Sequence, residues 1–261
     1  LVAANVRAVT LRVSLSVFIN NHQTKHMNDL WNQLADGKLT EQQDAQLSRY
    51  LDLLVQANQR MNLTRITDRS AAEIGHVGDA LTLLRYLPPS RADAPIRLAD
   101  VGSGGGVPGI PLAIARPDVS VTLIESTAKK ARFLTETAEA MGLSNLKVRT
   151  ERAEEAGNGP VRESFDIVTA RAIGVMAWLV EWCLPLVKTG GTLLALKGPK
   201  LAEELPAALR TIRILGGGEP TVHPVELPGT DGHVIVAIRK VRTTDHRFPR
   251  PATSAKGKPL G

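Results

Sequence analysis

The sequence predicts an α/β fold, a mostly parallel sheet with helices on both faces, preceded by a helical N-terminal segment. Three observations predict it. Between residues 96 and 198, short runs rich in β-branched residues alternate with helical patterns, as in a parallel sheet. The run LADVGSGGGVPGIPLAIA takes a strand straight into a glycine-rich turn and a helix. Residues 29–87 place apolar side chains at helical spacing. A chain of 261 residues suits one such domain with an appendage.

The elements follow in order. Residues 1–26 lack an initiating methionine and a clear signal cleavage site, so Met27 is the expected start and the preceding stretch an expected dispensable extension. Residues 27–90 form the helical segment. Thr40 is an N-cap with Gln43 completing a capping box, and Leu47, Leu51, Leu54 and Val55 follow on one helical face. A second helix is expected from Ala71 to Tyr86, ending before Pro88 and Pro89, and PPSRADAP is a linker. The catalytic-type domain covers residues 91–242. Its strands are IRLADVG, VSVTLIE, LKVRTERAEE, FDIVTARA and GGTLLALKG. Its helices are a short one ending at Pro117, one from Ala128 to Met141 closed by Gly142, and GVMAWLVEWCLPLV. GEPTVHPVELP and GHVIVAIRKV are joined by a short turn and form a closing antiparallel pair. The tail from 243 to 261, rich in Pro, Lys and Arg, is expected to be poorly ordered in isolation and to lie outside the sheet.

Composition narrows the chemistry. The net charge of +6 suits an anionic partner. Three tryptophans, two tyrosines and four phenylalanines supply a base-stacking platform poorly. The single cysteine, Cys183, lies in an apolar run and reads as core, which excludes disulfides and cysteine zinc sites and fits a reducing, cytoplasmic compartment. No apolar stretch is long enough to span a membrane. No metal site is expected.

The glycine loop poses a choice between cofactors. Gly104, Gly106 and Gly109 match the dinucleotide fingerprint, in which a pyrophosphate rests on a helix N-terminus. Asp100, two residues before Gly102, would repel a pyrophosphate. It would attract an ammonium group, directly or through water, and S-adenosyl-L-methionine carries an ammonium, a sulfonium and no phosphate. Glu125, at the end of the second strand, suits ribose hydroxyls in either cofactor class. Pro108 and Pro111 are read as helix-start residues.

At this point the sequence resembles the RsmG (GidB) family, methyltransferases that make N7-methylguanosine in small-subunit 16S ribosomal RNA. The resemblance runs from about Leu30 to the C-terminus. Its carriers are MNLT, HVGDALTLL, ADVGSGGGVPGIPLAI, RPDVSVTLIESTAKKARFL, ERAEE, TARA, LALKGPK and FPRPATSAKGKPL. It implies a Rossmann-like class I methyltransferase with a seven-stranded sheet, S-adenosyl-L-methionine as methyl donor, and the small ribosomal subunit or its assembly intermediate as partner; no membrane partner is expected, and a monomer is the expectation where the sequence leaves the oligomeric state open. It further implies that Gly102 and Val107 lie against the cofactor. Glu125, Ser126 and Thr127 would serve the ribose and adjoining backbone, Ala153 and Glu154 the adenine, and Arg171 the edge facing the substrate. The chain departs from the family in having Ser103 for Thr, Val107 for a larger apolar residue, and Glu125 for Asp.

Arg152, Arg171, Lys197 and Lys200 stand at or just beyond predicted strand ends, where open α/β sheets bind ligands and where cations could meet RNA phosphates. Each is alternatively a solvated surface charge. Arg171, within an apolar-rich run, is the preferred site residue, with Lys197 beside it. For Lys129, Lys130 and Arg132 the resemblance favours the flank of an RNA groove over an ordinary solvated face. His76 and Asp79, three apart on one helix, can share a face. Asn62 reads either as a turn residue or as a wall of the guanine pocket, His76 as part of a polar network fixing the helices over the sheet. Arg171, Lys197 and Asn62 are thus the candidate catalytic residues. Guanine N7 carries a lone pair and no proton, so no general base is demanded, and none is evident. The competing readings are a methyltransferase acting on protein or a small molecule, and an NAD-dependent dehydrogenase or nucleotide-binding module.

Overall fold

The computed structural model describes residues 23–257 and Leu260. Of the expected extension, residues 1–22 lie outside the described residues. Helix α1 (Gln23–Leu34) begins ahead of Met27. Its Trp31 is only 1% exposed and donates Nε1–H to the Glu73 carbonyl at 3.2 Å. A chain opening at Met27 keeps that anchor.

Helix α2 (Glu41–Met61) starts on the predicted capping box. Thr40 Oγ1 accepts the Gln43 amide at 3.2 Å, and Gln43 Oε1 accepts the Thr40 amide at 2.9 Å. Leu47, Leu51 and Leu54 are buried, and the helix ends at Asn62 in the left-handed region, φ 51°. Asparagine tolerates that region better than most residues. The expected helix from Ala71 to Tyr86 is instead a broken run that begins earlier. It comprises α3 (Arg69–Ala72), capped by Asp68, a π-helical turn Glu73–Gly78, α4 (Asp79–Leu81) and a 3₁₀ turn Leu84–Tyr86. Ile66 approaches so closely that a Cβ on Gly75 would lie 2.7 Å from its Cδ1.

The sheet has seven strands: β1 (Ile96–Val101), β2 (Val119–Ile124), β3 (Leu146–Arg149), β4 (Phe165–Arg171), β5 (Val187–Lys197), β6 (Thr221–Pro224) and β7 (Val234–Arg239). Their order is β3-β2-β1-β4-β5-β7-β6. β1 to β5 pair in parallel, while β7 runs antiparallel to both β5 and β6. Alternation along the strands divides the core. Leu98 and Leu194 face the N-terminal helices together with α5 (Gly109–Ala115) and α6 (Ala128–Ala140). Ala99, Leu193 and Ala195 face α7 (Ala153–Asn158), α8 (Met176–Cys183) and α9 (Leu201–Ile214). Cys183 is fully buried there, and its thiol pKa is pushed up by burial.

Three expectations are corrected. The third strand stops at Arg149, and AEE within ERAEE opens α7, because Glu155 Oε2 accepts the Arg152 amide and starts a helix. The helix expected through Leu186 and Val187 ends at Cys183; a 3₁₀ turn follows, and β5 already begins at Val187. The tail is docked rather than loose. Arg162 donates to the carbonyls of Thr244 at 2.8 Å and Phe248 at 2.7 Å, and Asn158 donates to the Pro249 carbonyl at 3.0 Å. Arg250 pairs with Glu181 at 2.7 Å, and Glu181 is 1% exposed. A short helix, α10 (Ala252–Gly257), follows. The sequence reading assigned nothing to α9, which carries Pro206 inside it but buries Leu201, Ala208, Thr211 and Ile212. Tertiary burial there outweighs proline's poor helix propensity.

The docked tail changes what its removal does. Arg250→Ala strands a buried carboxylate, a loss of about 2–3 kcal/mol once Arg250's partial exposure is allowed for. The melting temperature should fall by about 4–12 °C, and deletion from Thr243 onward should cost more. Thermal unfolding of both variants checks this; an unchanged melting temperature on deletion would show that the tail adds nothing to the fold.

Candidate active site

Chain direction decides where a site can form. From the central β1 the chain moves outward through β2 and β3, then returns to build β4 and β5 on the other side. The crevice at the carboxyl ends of β1 and β4 is therefore a topological switch point. Five segments reach this rim: the glycine loop after β1, Glu125 after β2, Arg152 after β3, Arg171 ending β4 and Lys197 ending β5.

The glycine loop needs glycine for two different reasons. Gly102 has φ +67°, and a Cβ there would sit 2.3 Å from Ile173 Cγ2. Gly104 has φ +56°, yet its Cβ would meet nothing nearer than the Gly102 carbonyl oxygen at 3.8 Å. At Gly104 the loop backbone is open to an incoming group, while at Gly102 it is covered by protein. From below, the Tyr50 hydroxyl donates to the Gly105 carbonyl at 2.9 Å.

The two acids take different places. Glu125 bridges loop and helix start: Oε2 accepts the Gly104 amide at 2.9 Å and Oε1 the Thr127 amide at 2.8 Å. Asp100 lies in the interior. It is fully buried, with Oδ2 accepting the Gly109 amide at 3.2 Å and Oδ1 the Thr169 hydroxyl at 3.1 Å. Burial raises its pKa to about 7, against the lowering influence of the Gly109 amide, Thr169, Ser103 and the Arg171 charge. In this arrangement Asp100 fastens the start of α5 to the sheet. Val107 is also buried. Ser126 and Thr127 are exposed at the start of α6, and Ala153 and Glu154 are half-buried at the start of α7, so both segments border the rim.

Arg171 joins the rim to the N-terminal helices. Nη1 donates to the Gly75 carbonyl at 2.6 Å and to Asp79 Oδ2 at 3.0 Å, and Nη2 lies 2.9 Å from His76 Nδ1. Burial, then the Arg171 charge, lower the His76 pKa to about 4, so the ring is neutral at pH 7. Its Nδ1 can then accept from Arg171 while Nε2–H donates to Thr64 Oγ1 at 2.9 Å. The π turn and the first residue of α4 thus present Gly75, His76 and Asp79 to one guanidinium, and His76 belongs to the polar network expected for it. Lys197 Nζ pairs with Glu204 at 2.6 Å and donates to the Gly174 carbonyl at 2.9 Å, holding the segment that carries Ile173 over Gly102. Asn62 is exposed at the end of α2, a turn residue in this structure, while Arg152, Lys200, Lys129 and Arg132 are exposed and Lys130 half-exposed.

Sequence reasoning missed Thr64, Gly75, Ile173 and Glu204. Thr64 stood within the MNLT motif, but nothing local pointed to its bond with His76. A concavity lined by Thr135, Gly142, Leu143 and Lys147 lies on the α6–β3 flank, away from the rim. Among the described residues no cluster of His, Cys, Asp and Glu suits a metal ion, and no helix is long and apolar enough to cross a membrane.

Comparison with known proteins identifies the family. Residues 43–228 match the family model described as GidB, rRNA small subunit methyltransferase G. The chain is similar to the ribosomal RNA small subunit methyltransferase G of Chloroflexus aggregans, 44% identical over 223 residues, covering 85% of this chain and 92% of the relative. It is 41% identical over 226 residues to the protein of that name from Lactobacillus johnsonii, covering 85% and 94%. The Staphylococcus carnosus protein is 41% identical over 228 residues, covering 86% and 94%.

Proposed function

The chain belongs to the GidB family of small-subunit ribosomal RNA methyltransferases, and from that premise we propose that it transfers a methyl group from S-adenosylmethionine to N7 of a guanine in 16S ribosomal RNA. The observation that carries this reading is the family match spanning the glycine loop and every rim residue from Gly102 to Lys197. The residues present fit the cofactor: the open backbone at Gly104 lies beside the Glu125 carboxylate. Gly104 and Glu125 would hold it from the loop side, Gly102 and Val107 would shape the loop behind them, and Ser126, Thr127, Ala153 and Glu154 would lie along the neighbouring strand ends.

S-adenosylmethionine supplies an electrophilic methyl on a sulfonium. Transfer to the N7 lone pair would leave the sulfur as a neutral thioether and would require no proton to be removed. The chain's contribution is then to orient and to exclude water, which is worth several kcal/mol of barrier. Arg171 and Lys197 stand at the rim, where a guanidinium or ammonium can donate to guanine O6. Asn62, on the neighbouring turn, would border the base. The neutral His76 has its ring nitrogens engaged with Arg171 and Thr64, consistent with a reaction that needs no base.

The test is transfer of labelled methyl to small subunits lacking the modification, followed by mapping of the modified atom. Label at guanine N7 of 16S RNA is expected. Label on an exocyclic amine would overturn the choice of atom, and transfer only to protein or small molecules would overturn the RNA reading.

A further inference from the structure

The end of α2 and the start of α6 meet beside the glycine loop, and this seam is strongly cationic. Lys129 Nζ donates to the Arg60 carbonyl at 3.4 Å, which places the two segments side by side. Leu54 and Leu63 lie against Gly105, where a Cβ would come 2.7 Å from Leu54 Cδ1 and 3.6 Å from Leu63 Cβ. Residues 60–65 are therefore fixed over the loop. Along the seam lie Arg60, Arg65, Lys129, Lys130 and Arg132, exposed except for the half-exposed Lys130.

The seam cations differ from those that the fold itself employs. Arg69, Arg116, Arg171, Lys197 and Arg250 each pair with a carboxylate. None of the five seam cations is ion-paired among the described residues. Neither stretch, Gln59–Arg65 nor Ser126–Arg132, contains an acid. Mutual repulsion of unneutralised cations costs stability, and a polyanion relieves it. No aromatic residue stands in either stretch, so stacking on unpaired bases is not what this surface offers. It offers contact with phosphates, which positions a nucleic acid without reading its sequence.

We infer that the α2–α6 seam is a phosphate-binding track that seats the RNA backbone flanking the target base, and that it sets the approach of RNA to the rim from the glycine-loop side. The inference rests on the RNA reading above and extends the groove flank expected at Lys129, Lys130 and Arg132 across to Arg60 and Arg65, with contact to phosphates as its chemistry.

The test is the combined variant Arg60→Glu, Lys129→Glu and Arg132→Glu, against a control reversing Arg239 and Arg242 to Glu. Binding of unmodified small subunits is measured separately from methyl transfer, over a range of salt. For the seam variant the KM for subunits should rise tenfold or more, with kcat changed less than twofold. The slope of log affinity against log salt should become shallower by about 2–3, as expected for three lost phosphate contacts. S-adenosylmethionine binding should be unchanged, which confirms that the fold and the cofactor site are intact. A seam variant whose KM and salt slope match those of the control would overturn the track. Wild-type protein that binds S-adenosylmethionine but neither binds nor methylates subunits would instead overturn the RNA reading itself.

Discussion

Gly104→Val is expected to abolish S-adenosylmethionine binding while leaving most of the sheet intact. Two effects act together. The backbone at φ +56° is a region that β-branched side chains scarcely adopt, so the loop must shift. The new side chain would also fill the one part of the loop where nothing but the Gly102 carbonyl oxygen approaches a Cβ. The strain alone is worth about 1–3 kcal/mol, so folding must be followed independently, by circular dichroism and thermal unfolding. For the wild-type protein, S-adenosylmethionine should raise the melting temperature and NAD should not. Tighter binding of NAD than of S-adenosylmethionine would refute the cofactor assignment outright. Retained S-adenosylmethionine affinity in a folded Gly104→Val protein would move the cofactor away from this loop.

Arg171→Ala should lower kcat/KM for subunits by about 100-fold, the scale of losing a positioning contact at a reacting centre. The same change leaves Asp79, whose side chain is 4% exposed, without its cation, and Asp79 Oδ1 already lacks a hydrogen-bond partner. The predicted stability loss is about 3 kcal/mol, the low end for breaking a buried pair because Arg171 is partly exposed. Arg171→Lys separates the two consequences. It keeps a charge near Asp79 but cannot reach Gly75, His76 and Asp79 with one planar fork, so stability should recover more than activity. Full transfer by folded Arg171→Ala would remove Arg171 from the site. Lys197→Ala should act more gently, and chiefly on the cofactor's KM, because Lys197 holds the Gly174 segment whose neighbour Ile173 covers Gly102.

Much of this protein could be read in the order of its residues. The capping box at Thr40 and Gln43, the glycine turn between β1 and α5, and the antiparallel β6–β7 pair are local features. Each depends on side chains a few residues apart, or on a two-residue or 3.6-residue period, and such patterns survive in one dimension. The cations at strand ends were legible for a related reason: parallel strands in one sheet carry their carboxyl ends to the same edge. The family resemblance drew on the same stretches.

Where reading failed, the deciding partner was distant in sequence. The bonds that Asp100 makes inside the fold were not legible, because Thr169 stands 69 residues on. The tail looked loose because its composition is polar and basic; Arg162, Asn158 and Glu181 hold it from 69 to 91 residues away. Arg171 was identified, but its attachment to Gly75, His76 and Asp79 across 92 to 96 residues was not. By itself, then, the sequence determined most of the elements, their succession along the chain and the edge at which a site could form. Only the tertiary structure decided which charges are spent inside the fold and which are left for a partner. A charge becomes structural or available according to the burial and counter-charge that other segments bring to it, and both arise only when those segments meet.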